Sequence, residues 1–127
     1  MVPMSITFDH VVLPSRDGLA SANFLADLLG LPMPIPDGPD GDLFPVQLDG
    51  AAQLIFVTVS SFDSHHLALR VDDATFGRVV ARLKAAGLAF GNDPESPQNG
   101  LTVDSHGGGR GRVYFTDPNG HLLELCC

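Results

Sequence analysis

An α+β fold made of two tandem βαβββ units, curling into an open, cupped mixed sheet, is what the sequence predicts. Three observations carry this. A strand-then-helix order occurs twice. Its punctuation falls at matching distances, with Asp17 seven residues after His10 and Asp73 seven after His66, then Gly30 twenty and Gly87 twenty-one residues after those histidines. Short apolar segments broken by turn residues follow each helix. Self-similarity at this scale marks a duplicated structural unit.

Taken in order, Phe8 to Leu13 is rich in β-branched and apolar residues and reads as a strand. Asp17 is a suitable N-cap for a helix running to Leu29, and Gly30 stops it ahead of Leu31. A Pro/Gly-rich stretch, Pro32 to Gly41, leads into strands expected at Asp42 to Leu48 and Gln53 to Val59. The polar joint Ser60 to Ser64 ends the first unit, about residues 5–60, and the second occupies about 64–127 of a single domain, 1–127. His65 to Val71 is its first strand, with Asp73 as helix cap. Phe76, Val79, Val80 and Leu83 form an i, i+3, i+4, i+7 stripe, and Gly87-Leu88 ends the helix. Strands are expected at Ala89 to Asn92, Leu101 to Ser105, Arg112 to Thr116 and His121 to Cys126, with loops at Asp93 to Gly100 and His106 to Gly111.

Composition limits the function. Hydrophobic residues are 44% and charged residues 17% of the 127, so the chain suits a packed core rather than disorder. No apolar run reaches the roughly 20 residues of a membrane span. The start, MVPMSITFDH, has neither a basic region nor an apolar one of the secretory kind, and a cytoplasmic protein is expected. A net charge of -8 would repel nucleic acid and anionic membranes alike. Cys126 and Cys127 read as two reduced thiols, having neither a disulfide framework nor zinc-finger spacing.

Three residues hold comparable places: His10 and His66 on the first strand of each unit, and Glu124 on the last strand. Two imidazoles and a carboxylate suit an open divalent site for Fe, Mn, Ni, Co or Zn. Each is equally compatible with an ordinary hydrogen-bonded strand residue, and spacing leaves both readings open. Strand alternation places Ala68 and Arg70 on the face of His66, and Leu122 and Cys126 on that of Glu124. Arg112, Tyr114 and Thr116 likewise share one face. His65 points away from His66, and His106 and His121 fall in a loop and a turn.

The segment Asp117 to Leu125, DPNGHLLEL, preceded by VYFT, resembles the closing motif of the vicinal oxygen chelate superfamily. That superfamily includes glyoxalase I, the fosfomycin-resistance thiol transferases, the extradiol dioxygenases and the bleomycin-resistance proteins. His66-Leu67-Ala68-Leu69 is similar to its middle strand and Phe8-Asp9-His10-Val11 to its opening one. The resemblance spans nearly the whole chain. It implies one divalent metal ion held by His10, His66 and Glu124, Glu124 doubling as a catalytic proton shuttle, and a substrate-facing Tyr114. By likeness to glyoxalase I, Gln53 would stand where a fourth ligand closes the first unit. A metal-dependent lyase, isomerase, transferase or dioxygenase acting on a small oxygen-chelating substrate is therefore expected, as a homodimer that closes two cups.

Arg70 and Arg112 share the face of the expected ligands, whereas Arg78, Arg82 and Lys84 lie on the second helix. Arginine is suited to forked recognition of anions, so the substrate is expected to be anionic and bound by Arg70 and Arg112. Departures narrow the reaction. Val12 stands where the fosfomycin enzymes carry threonine, Asp104 and Gly108 replace their antibiotic-lining residues, and two-domain dioxygenases are about twice as long. The alternative is a metal-free, bleomycin-resistance-like binder that sequesters a small cationic ligand in an acidic groove, a reading favoured by the net charge of -8.

Overall fold

The computed structural model describes residues 5–103 and 111–127. The order is β1 (His10–Ser15), α1 (Gly18–Leu29), β2 (Leu43–Gln47), β3 (Gln53–Thr58), β4 (His66–Arg70), α2 (Asp73–Ala85), β5 (Arg112–Thr116) and β6 (Leu122–Cys126). The strands form two three-stranded mixed sheets of identical topology. In the first, β1-β3-β2, β3 is parallel to β1 and antiparallel to β2; in the second, β4-β6-β5, β6 is parallel to β4 and antiparallel to β5. The duplication and the α+β class are therefore as the sequence predicts.

Both helices end alike. The N–H groups of Gly30 and Leu31 return to the carbonyls of Asp27 and Ala26, and those of Gly87 and Leu88 to Lys84 and Leu83. Each glycine is left-handed, φ 71° and 67°, which a side chain would oppose. At the other end, Asp17 accepts from the Ala20 N–H at 3.1 Å, as expected. The second helix corrects the expectation: Asp72, not Asp73, is the cap, its Oδ1 accepting from Thr75 N–H at 2.7 Å. Two consecutive aspartates are equally competent caps. The bond from Thr75 N–H goes to Asp72, whose backbone is extended, and so Asp73 is the first helical residue.

Two expected strands of the second unit are reduced to isolated bridges. Gly91 pairs with Tyr114 and Val103 with Arg112, flanking the outer edge of β5. Pro94 and Pro97 interrupt the intervening chain, and proline cannot donate to a ladder. Asn99 instead organises this loop, accepting from the N–H groups of Asn92 and Leu101. The expected strand end at Ser105 and nearly all of the loop from His106 lie outside the described residues.

Leu25, Leu54 and Phe56 from the first unit and Val79, Leu83, Val113, Phe115 and Leu125 from the second belong to one buried cluster. Phe24 meets Phe115 across the units, ring centroids 6.3 Å apart.

A polar clasp sits beside this core. The β5–β6 turn, Asp117 to His121, docks on the start of α1 and the end of β1. Asp117 accepts from Ser21 Oγ at 2.5 Å, and Asn119 exchanges bonds with both the N–H and the C=O of Asp17. His121, though in a turn, is only 2% exposed. Its Nδ1 accepts from His65 N–H at 2.9 Å and its Nε2 donates to the Pro14 carbonyl at 2.6 Å, which fixes the tautomer. At the opposite end of α1, Arg82 Nη1 donates to Leu28 O at 2.8 Å and ties the helices together.

Candidate functional site

In the second sheet, Leu123, Leu125, Val113 and Phe115 fill the core, so the alternate residues of β4, β5 and β6 line its other face. Strand pairing sets them in rows: Ala68, Glu124 and Tyr114 abreast, and Arg70, Cys126 and Arg112 abreast. His66 reaches diagonally to place Nε2 3.0 Å from Glu124 Oε1, and Arg112 reaches from the other flank to donate to Oε2. The Glu124 side chain is 8% exposed, against 47% for His66 and 37% for Arg112. A buried carboxylate thus lies between two half-open partners. Tyr114 is buried beside them, its ring centroid 6.1 Å from that of His66.

The electrostatics follow from this geometry. The hydrogen bond to Glu124, and the charge behind it, raise the Arg112 pKa above that of free arginine. Burial, then the negative charge of Glu124, pushes the Tyr114 phenol above its usual range. Tyr114 therefore stays a hydroxyl beside Glu124.

Of the other expected residues, His10 and Gln53 lie on the first sheet. His10 is exposed on β1 in the first sheet, its Nδ1 2.5 Å from Asp9 Oδ2, directly across from Gln53. Gln53 donates its Nε2 to Gln47 Oε1 at 3.0 Å. Among the described residues no three His, Cys, Asp or Glu side chains converge, so His10 does not join His66 and Glu124 within one chain. Arg70 is exposed, has no ion-pair partner among the described residues, and borders a cleft of about 460 Å³ shared with Leu29, Leu48, Asp49 and Asp72. Arg112 is on the expected face and donates through Nη1 to Glu124. Counting back from Glu124 across the β5–β6 hairpin puts Tyr114 opposite it and Arg112 on the diagonal, a signal within reach of the sequence.

His66 and Glu124 suit a divalent ion in donor type. Their 3.0 Å contact is that of a hydrogen bond, and it brings one nitrogen and one carboxylate oxygen, donors that divalent ions accept, to one place. A divalent ion bound there would need further ligands from outside the described residues of this sheet.

The family model for the Glyoxalase/Bleomycin resistance protein/Dioxygenase superfamily matches residues 7–125. The chain belongs to this superfamily. Two solved members, Oxidase ChaP-H1 and Oxidase ChaP-H2, are 34% and 32% identical to it, each with a TM-score of 0.84. They cover 96% and 97% of this chain and 95% and 94% of their own. A glyoxalase/dioxygenase from Nostoc punctiforme shares the superfamily fold at 21% identity and TM-score 0.69, with 100% of this chain and 98% of that one covered. So does a lactoylglutathione lyase from Agrobacterium tumefaciens, at 18% identity and TM-score 0.68, covering 98% and 94%. No curated protein matches the chain. Within the described residues no helix is long and apolar enough to cross a membrane.

Proposed function

We propose that this superfamily member is a divalent-metal-dependent oxidase of small, oxygen-chelating molecules, working as a homodimer. The observation that carries the reading is the pairing of His66 Nε2 with the buried Glu124 Oε1 at 3.0 Å, on a face shared with Tyr114. The similarity to two oxidases at 34% and 32% identity favours oxidation over the other reactions of the superfamily. When bound, a divalent ion supplies Lewis-acid polarisation of adjacent substrate oxygens. Both oxygens of Glu124 are engaged, so it serves as a fixed ligand rather than a swinging base. Tyr114 donates to a substrate oxygen and excludes water. A substrate anion would meet the ion and Arg70, because Arg112 is already committed.

His10 completes the site from a second copy. Among the described residues, β1 and β4 each end a sheet and have one unpaired edge. Ile6, Phe8 and Val12 alternate with His10 and are 91%, 55% and 50% exposed. An apolar row on an edge strand calls for a partner, and a two-fold dimer covers both rows at once. His10 and Gln53 would then face the partner's second sheet.

Complementation tests this. His10→Ala, His66→Ala and Glu124→Ala should each abolish divalent-ion binding without unfolding the chain. Mixing refolded His10→Ala with His66→Ala should restore about a quarter of the sites, as random pairing of a two-fold dimer dictates. Dioxygen uptake with a panel of diols and hydroxyketones then tests oxidase activity. Wild-type protein that takes up no divalent ion would refute the enzyme; a monomeric mass by light scattering would refute the shared site.

A further inference from the structure

Glu124 is buried, and a buried carboxylate must be paired. Its two oxygens are treated differently. Oε1 faces His66 Nε2 at 3.0 Å, whereas Oε2 receives the guanidinium of Arg112. Arg112 stands opposite Cys126, one strand over and two positions along from Glu124, so the β5–β6 pairing itself aims the guanidinium at Oε2 and not at Oε1. Neither residue has another ion-pair partner of opposite charge within the chain's described residues, apart from His66.

We propose that Arg112 is a positioning residue, the resident countercharge of the ligand pair: it holds Oε2, leaves Oε1 toward His66, and so makes Glu124 a one-oxygen ligand with restrained affinity for a divalent ion. This rests on the metal reading above. Two physical effects act in the same direction. A fixed cation one carboxylate's width from the ion repels it. In the metal-free protein the same cation stabilises Glu124, so less is gained when the ion arrives. With Oε2 held by Arg112, a divalent ion would be offered Oε1 and His66, and a substrate would have to supply oxygens of its own to it.

A merely structural arginine predicts the opposite sign, because a loosened Glu124 would bind metal more weakly. Full-length protein stripped by chelator is titrated with Co(II), read by its visible absorption bands and by competition with a chromophoric chelator. Arg112→Met keeps an unbranched stem without the charge. It should bind Co(II) roughly five- to thirtyfold more tightly than wild type, as expected for losing one nearby charge at a partly solvated site. Its absorption bands should change as Oε2 joins the ion, and its metal-free form should melt lower and recover more on Co(II) addition. Arg112→Lys, which retains the charge, should stay within a few-fold of wild type. Arg112→Gln gives the same reading as methionine if the latter does not fold. Unchanged or weaker Co(II) affinity with unaltered bands in Arg112→Met or Arg112→Gln overturns the inference while leaving the metal reading intact. If wild type binds no Co(II), the metal reading fails and the inference falls with it.

Discussion

Replacing Asn119 with alanine removes three hydrogen bonds that join the two units at once. Its Oδ1 accepts from Asp17 N–H at 3.1 Å, and its Nδ2 donates to Asp17 O at 2.9 Å and to Ser21 Oγ at 2.7 Å. Such bonds contribute about 0.5–1.5 kcal/mol each, and the one to Ser21 is part-buried, so the loss should come to about 2 kcal/mol. For a chain of this size that lowers Tm by roughly 8 °C. Asn99→Ala is the matched control. It too loses three side-chain bonds, two accepted from the Asn92 and Leu101 N–H groups and one donated to Asn92 Oδ1, but in an exposed loop where water replaces them. Its cost should stay below about 1 kcal/mol. Urea unfolding read by circular dichroism and by tyrosine fluorescence measures both variants. Equal losses in the two, or a loss under about 0.5 kcal/mol for Asn119→Ala, would refute the clasp.

Further tests address other elements. Arg82→Ala should cost about 1–2 kcal/mol by freeing the Leu28 carbonyl at the end of α1, with Co(II) affinity untouched; denaturation and metal titration separate the two effects. The protein has one tyrosine, so ultraviolet titration of phenolate reports Tyr114 alone. It should ionise above the usual range, because burial and then the Glu124 charge both oppose the anion, and Glu124→Gln should move the titration downward. Wild-type ionisation at the free-tyrosine value would contradict that burial. Gly30→Ala and Gly87→Ala should each destabilise by about 1 kcal/mol, since both positions are left-handed. The Gly30 change should be the larger, because a Cβ there meets Arg82 Nη1 at 3.2 Å.

Local chemistry explains what the sequence made legible. Alternation in β4, β5 and β6 is strict enough to put His66, Arg112, Tyr114 and Glu124 on one face without coordinates, and each Gly-Leu pair marks a helix end unaided. What stayed hidden depends on distant partners. Asp117, Asn119 and His121 read as an ordinary turn because the groups they bind, Asp17, Ser21 and Pro14, lie 96 to 107 residues away. The hairpin register that sets Arg112 diagonal to Glu124 is within reach, but strand alternation says nothing of which side chains then bond. Parity shows that His10 faces off its sheet, but it carries no information about which sheet lies opposite.

The clasp makes the two units halves of one network. One short turn closes the hairpin that carries Arg112, Tyr114 and Glu124, and grips the first unit through Ser15, Ser21 and Asp17. A cut in the polar joint between Ser60 and Ser64 leaves every one of these contacts with its members on different fragments. Each fragment alone would expose one side of the shared core and half of a buried hydrogen-bond network. The pair is thereby suited to reassembly in trans, with recovery of the candidate site reporting that the fragments have met.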